Sequence, residues 1–164
     1  MAIEDLGPAE RLAAGALGEP GERRFFIQIT ANGVDTWLAA EKDQIGSLAL
    51  QCLELIQSAE LTVDREAVER IVEVGLEITE PAATRFRLSS ISITVPDSSL
   101  LRVAFESAEG DGVSLAVAPE QLSAMALVGM EVVAAGRPLC PWCRLPIDPD
   151  GHLCAASNGH HPRV

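Results

Sequence analysis

The chain has 164 residues and a formal net charge of −12, from 12 basic and 24 acidic side chains. Its length suits one globular domain with a small appendage, and its 48% hydrophobic residues exclude a disordered chain. The acidic balance argues against nucleic acid and anionic membranes as partners, because both bind basic surfaces that displace their counterions.

The N-terminal part of the chain predicts three strands followed by a helix. Small apolar residues and strand formers fill three segments, and a helical apolar period follows them: 12–17, 25–30, 34–40 and 43–56. Asn32–Gly33, between the second and third strands, is typical of a two-residue hairpin turn. In the helix, Ile45, Leu48 and Cys52 share one face, so Cys52 is expected to be a small core residue.

The segment 60–80 holds seven acidic residues and two arginines. A helix here would place Glu69, Glu73 and Glu77 on one side, because they are spaced by four. Carboxylate clusters can bind divalent cations, but the sequence has no short, turn-bearing loop of the kind that hard cations require. We therefore interpret the segment as a solvated helix face or a mobile connector.

The order of strands and helix returns in the second half of the chain. Strand-like and helical segments follow one another at 86–95, 100–107, 113–118 and 119–133. Aligning Gln44 with Gln121 also aligns the apolar stripes of the two helices. We interpret the halves as two β-β-β-α pseudo-repeats; chance agreement between two ordinary α+β stretches is the alternative. The predicted fold is α+β, with the pseudo-repeats forming one mainly antiparallel sheet and the helices on one face.

The composition changes at Gly136–Arg137–Pro138, after the second predicted helix. Residues 1–136 hold 9 basic and 22 acidic side chains, whereas residues 137–164 hold three arginines and two aspartates. We therefore predict an acidic α+β domain over 1–136 and a Cys/His tail over 137–164.

The apolar stretch before this boundary is interrupted by Glu131 and is too short for a membrane span. The N-terminus has no signal-peptide pattern, so we expect a cytoplasmic protein.

The tail contains metal ligands at typical spacings. Cys140 and Cys143 form a Cys-x-x-Cys pair, which directs two thiolates of one tight turn to a common centre. A proline-containing spacer with turn-forming residues leads to Cys154, the third thiolate. Thiolate and imidazole ligands favour Zn²⁺ over Mg²⁺ or Ca²⁺. We therefore predict a structural zinc site in a zinc-knuckle-like tail.

The fourth ligand is a histidine. We prefer His152, two residues before Cys154, and keep His160 and His161 as alternatives. Four protein ligands close the zinc site and leave no position for a water nucleophile. A disulfide scaffold is disfavoured because cytosolic thiols stay reduced, and a thioredoxin-like pair would lie between a strand and a helix.

The sequence does not favour an enzyme. It lacks the nucleophile elbow, the phosphate-binding glycine loops and the HExxH pattern, and all its histidines lie in the tail. Our first hypothesis is a zinc-binding accessory protein that acts by binding a protein partner. The alternative is an enzyme or small-ligand binder that uses the sheet face and the loop Gly18–Arg24, where Arg23 and Arg24 would bind an anion.

Three stretches together resemble one known family. These are 140–154 with the following Asn158–Gly159, the motif at 14–26, and Gly136–Pro138. They are similar to bacterial proteins grouped as domain of unknown function 3090. Zinc knuckles often have glycine after the second cysteine, and Arg144 stands there in this chain. The resemblance implies no established activity.

Overall fold

The computed structural model describes residues 2–96, 99–136, 140–144, 147, 151–152 and 154. Within these residues the chain forms eight strands: β1 (Ile3–Pro8), β2 (Arg11–Leu17), β3 (Arg24–Ala31), β4 (Val34–Ala40), β5 (Thr84–Arg87), β6 (Ser90–Thr94), β7 (Leu101–Glu106) and β8 (Gly112–Val117). It also forms three helices: α1 (Lys42–Ser58), α2 (Arg65–Val74) and α3 (Pro119–Ala134). None of these three helices is both long and apolar enough to cross a membrane. The α+β class predicted from the sequence is confirmed.

The strands form two four-stranded sheets, whereas the sequence predicted a single sheet. The first sheet has the order β1-β8-β7-β6, and the second has the order β2-β3-β4-β5. Two pairs, β1 with β8 and β4 with β5, are parallel, and the other four pairs are antiparallel. Both sheets are therefore mainly antiparallel, as predicted.

A bend between β1 and β2 joins the two sheets. The N–H of Ala9 donates to the carbonyl of Ala116 in β8 at 2.8 Å. The next N–H, that of Glu10, donates to the carbonyl of Thr30 in β3, also at 2.8 Å. Two consecutive N–H groups thus bond to different sheets, and both remain satisfied where the chain changes sheet.

A second bend, between β5 and β6, joins the sheets at their other edges. The N–H of Leu88 donates to Ala39 in β4, and the N–H of Ser89 donates to Glu106 in β7, each at 2.8 Å. The two bends close the strands into a ring. They are also the physical reason why the strands divide into two sheets. The sequence did not predict the second bend, because the apolar alternation that predicted one strand over 86–95 does not reveal a change of sheet.

Gln44 fastens the N-terminus of α1 to the second bend. Its side-chain oxygen accepts the N–H of Glu41, the residue before the helix, at 2.8 Å. Its amide nitrogen donates to the carbonyl of Leu88 at 2.9 Å. One side chain thus satisfies a backbone N–H outside the helix and a carbonyl at the bend.

Gln121 makes the corresponding two bonds in the other half. Its oxygen accepts the N–H of Ala118 before α3 at 2.9 Å, and its amide donates to the carbonyl of Ala9 at 2.8 Å. Each half also contributes its first strand to a parallel pair with the last strand of the other half.

The internal sequence duplication itself stays a prediction. The division at residue 136 also stays a prediction, because 137–139 lie outside the described residues.

The inward faces of both sheets and the apolar stripes of α1 and α3 share one core. Its largest fully buried side chains are Leu12, Ile27, Ile29, Leu38, Ile45, Leu48, Leu101, Val103, Phe105, Leu115, Leu122 and Met125. Cys52 lies in this core with no exposed surface. The alternation of buried and exposed residues in β7 follows from this arrangement, since the other face of the first sheet points outward.

The outward face of the second sheet is covered by α2 and the segment after it. Ala13 and Phe26 of this face pack with Val68, Leu76 and Ile78. Because Leu12 and Ala14 point to the shared core and Ala13 points away from it, α2 lies on the opposite side of the sheet. The sequence had predicted that the helices lie on one face. In the structure they are not confined to one face.

The predicted row of three glutamates is divided by the end of α2. Glu69 and Glu73 lie on the helix, but α2 ends at Val74, so Glu77 belongs to the following segment. There the carbonyl of Glu77 accepts a hydrogen bond from Arg11 at 2.6 Å. The connector is thus fixed to the sheet and is not only a solvated link.

We expect Gln44→Ala to destabilise the fold by about 1–3 kcal/mol, because two hydrogen bonds are lost and the Leu88 carbonyl loses a partner. Chemical denaturation measures the free energy of unfolding. Gln51→Ala is the matched control, since Gln51 is exposed on the same helix. Equal stability of the two variants would contradict the role given to Gln44.

Candidate metal centre

A tight turn positions the first two cysteines. The N–H of Arg144 donates to the carbonyl of Cys140 at 2.9 Å, which closes the turn around Cys143. Arg144 has a φ of +63°, in the left-handed region that favours glycine. This backbone conformation explains why glycine is common at this position of zinc knuckles.

Four ligand atoms converge at the turn. The Sγ atoms of Cys140, Cys143 and Cys154 and one ring nitrogen of His152 all lie within 4.8 Å of one another. The Cys140 and Cys154 sulfurs are 3.8 Å apart, and the Cys143 sulfur lies 3.3 Å from His152 Nε2. Sulfurs bound to one tetrahedral zinc at about 2.3 Å would be about 3.8 Å apart, and a sulfur and a nitrogen about 3.6 Å. The four residues could therefore hold a metal ion.

The ligands lie in a small apolar cluster of their own. Cys140, Ile147 and Cys154 are buried, and Cys143 packs against them while partly exposed. Ile147 was not recognised from the sequence. The sequence indicated it only as an apolar residue in a spacer rich in proline and aspartate.

Of the alternatives for the fourth ligand, the structure brings His152 to the cysteines. Gly151 precedes it with a φ of +91°, a conformation that glycine adopts without strain. His160 and His161 lie outside the described residues.

The fourth cysteine of the chain lies outside this cluster. Burial in the core raises the pKa of the Cys52 thiol to about 12. The thiol therefore stays protonated at neutral pH and is a poor metal ligand or nucleophile. This agrees with the core role predicted for Cys52 from the helical period.

The structure places Arg23 and Arg24 in contact with other parts of the protein. Arg23 donates from Nη1 to the carbonyl of Val132, near the end of α3, at 2.7 Å. Arg24 donates to both carboxylate oxygens of Glu80, at 2.8 and 3.0 Å. Both arginines thus have partners that fix the ends of elements.

A surface cavity of about 370 Å³ lies beside these two arginines. Its third arginine, Arg87, is paired with Glu41. Each of the three guanidinium groups in the cavity wall therefore already has an acceptor. Anion binding by Arg23 and Arg24 stays a prediction.

Replacing a ligand should remove the metal. We expect His152→Ala to lose most of its bound metal, because three ligands bind more weakly than four. His160→Ala is the matched control and should keep a full complement. Elemental analysis of the purified proteins measures the metal per chain, and full retention in His152→Ala would contradict the ligand assignment.

Arg144 gives a second test of the turn. Because glycine relieves left-handed strain, Arg144→Gly should bind the metal as tightly as the original chain or up to about fivefold more tightly. Arg144→Val should bind more weakly, since a β-branched residue tolerates this conformation worst. Competition with a chromogenic chelator gives both affinities, and the reverse order would rule out the left-handed turn.

Comparison with known proteins identifies a family but no activity. The model of the family described as "Protein of unknown function (DUF3090)" matches residues 5–154, which include all four candidate ligands and both sheets except the first two residues of β1. Neither the curated proteins nor the solved structures include a match to this chain. The resemblance found in the sequence is therefore confirmed, and the chain belongs to the DUF3090 family of proteins of unknown function.

Proposed function

We propose that this chain is a zinc-binding accessory protein of the cytoplasm, in which the metal holds the tail in the shape that contacts a protein partner. The observation that carries the proposal is the convergence of three thiolates and one imidazole within 4.8 Å. A set of three cysteines and one histidine is typical of structural zinc. These four ligands fill a tetrahedral shell, so the metal would stabilise the shape of the tail and would not act as a Lewis acid on a substrate.

The tail depends on the metal more than the domain does. Among the described residues of the tail, the apolar cluster has three buried members, Cys140, Ile147 and Cys154. Such a cluster is too small to fold a segment without a metal or another crosslink. The shape of the tail, and any contact that it makes, should therefore depend on the bound ion.

An exposed aromatic residue lies between two of the ligands. Trp142 is 50% exposed, although it lies between Cys140 and Cys143 in the turn. Tryptophan is enriched among the residues that contribute most to protein interfaces. This exposed ring beside a closed metal site supports a binding role over a catalytic one.

The test is affinity purification of the full chain from its native cells, followed by mass spectrometry and elemental analysis. We expect about one zinc per chain and a specific protein partner. Recovery of this partner should fall at least about tenfold with Trp142→Ala, which keeps all four ligands, and with His152→Ala, which removes one. Val34→Ala is the control, because Val34 is 63% exposed but lies in β4.

Two results would overturn the proposal. One is a purified protein that captures no partner but turns over a phosphorylated or thiol metabolite. The other is a partner whose recovery is the same from the His152→Ala variant, since binding would then not depend on the metal.

A further inference from the structure

An apolar groove runs between α2 and α3. It has a volume of about 470 Å³. Its floor consists of valine, leucine and methionine side chains from the two helices: Val68, Val72, Leu127, Val128 and Met130. Three of these residues are well exposed, Val72 at 37%, Leu127 at 44% and Met130 at 39%.

The groove exists because α3 is apolar on more than its buried side. Leu122, Met125 and Ala126 face the core, and Ala124 faces the cluster below α2. Leu127 and Met130 lie on the remaining side of the helix. A surface helix normally has polar residues there, so these side chains are expected to be covered by another molecule.

The rim of the groove is acidic. Glu69 and Glu73 come from α2, and Glu131 comes from α3. Glu69 pairs with Arg65 at 3.4 Å, but this pair is strongly exposed to solvent. Among the described residues, no basic side chain lies within ion-pair distance of Glu73 or Glu131.

We infer that the groove binds a basic amphipathic helix of a protein partner, with its apolar stripe on the valine, leucine and methionine floor and its lysines or arginines along the glutamate rim. The inference rests on the proposed accessory function and names the chemistry of the partner. Helix-in-groove recognition uses such a stripe, and α2 is 10 residues long, so about three turns of a partner helix fit along it.

Charge decides between this occupant and a second copy of the chain. Two copies meeting through this groove would bring their glutamate rims together, and each chain carries a net charge of −12. A basic helix instead neutralises the rim. The attraction between a basic helix and the acidic rim therefore favours a basic partner over self-association.

The probe is a synthetic 16-residue helical peptide with leucines along one stripe and lysines beside it. The second peptide has glutamate in place of each lysine, and the third has the first composition in scrambled order. Fluorescence anisotropy with the full zinc-loaded chain measures each affinity. We expect binding of the first peptide only, and weakening of this binding as salt rises from about 50 to about 500 mM.

Matched variants locate the binding surface. Leu127→Glu and Glu131→Arg should each weaken binding of the basic peptide at least about tenfold. Leu50→Glu and Glu54→Arg, at exposed positions of α1 outside the groove, should change the affinity less than about twofold. Thermal unfolding of each variant shows that the fold is kept.

Several outcomes would overturn the inference. Equal affinity for the acidic peptide, no binding of the basic peptide, or the same loss in the α1 variants would each exclude the groove. A dimer in sedimentation equilibrium that Leu127→Glu dissociates would assign the groove to a second copy.

The same variants separate this inference from the proposed function. If the native partner is lost with Trp142→Ala but retained with Leu127→Glu, the accessory function stands and the groove is not its site. If the partner is lost with Leu127→Glu but retained with His152→Ala, the groove stands and the metal-dependent function fails.

Discussion

The fold depends on two glutamine side chains that hold the helix N-termini to the bends between the sheets. At a bend the chain changes partner strands, and the carbonyls of Ala9 and Leu88 receive their hydrogen bonds from side-chain amides. Gln44 and Gln121 supply these bonds while also accepting from the backbone before α1 and α3. Strand bending and helix placement are therefore set by the same residues. Because α1 and α3 then complete the core between the sheets, closure of the strands and burial of the core occur together.

The end of α3 is fixed by charges that come from elsewhere in the chain. The helix has no basic residue in its last turn, although its carbonyls there carry partial negative charge. Arg23 supplies the missing donor through Val132, and a Cβ on Gly136 would lie 3.0 Å from Lys42 Nζ and 3.2 Å from Arg23 Nη2. A side chain at position 136 would therefore require these two cationic groups to shift by a few tenths of an ångström. Arg23, which the sequence suggested as an anion ligand, thus donates to a carbonyl in the last turn of α3.

The sequence allowed prediction of features that are local and periodic. The Asn32–Gly33 turn has the two positive φ angles that its residue types predict, and the helical stripe of α1 buries Ile45 and Cys52 as expected. The ligand spacing identified the cluster because metal ligands are few in kind and close in sequence. The bends at residues 9 and 88 could not be predicted, because alternation of apolar residues continues through a change of sheet. The groove between α2 and α3 also escaped prediction, since it depends on how two distant helices lie together.

Under the proposed function, the predicted domain over 1–136 and the Cys/His tail would obtain their stability from different sources. The domain has a large core from both sheets and two helices, so it does not need an ion to fold. The described residues of the tail include three that are buried and four whose ligand atoms converge, so a bound metal would order this segment. An ion that stabilised the domain would be needed for the overall fold. In the proposed function the ion would stabilise the segment that carries Trp142, so loading the metal would change a contact surface.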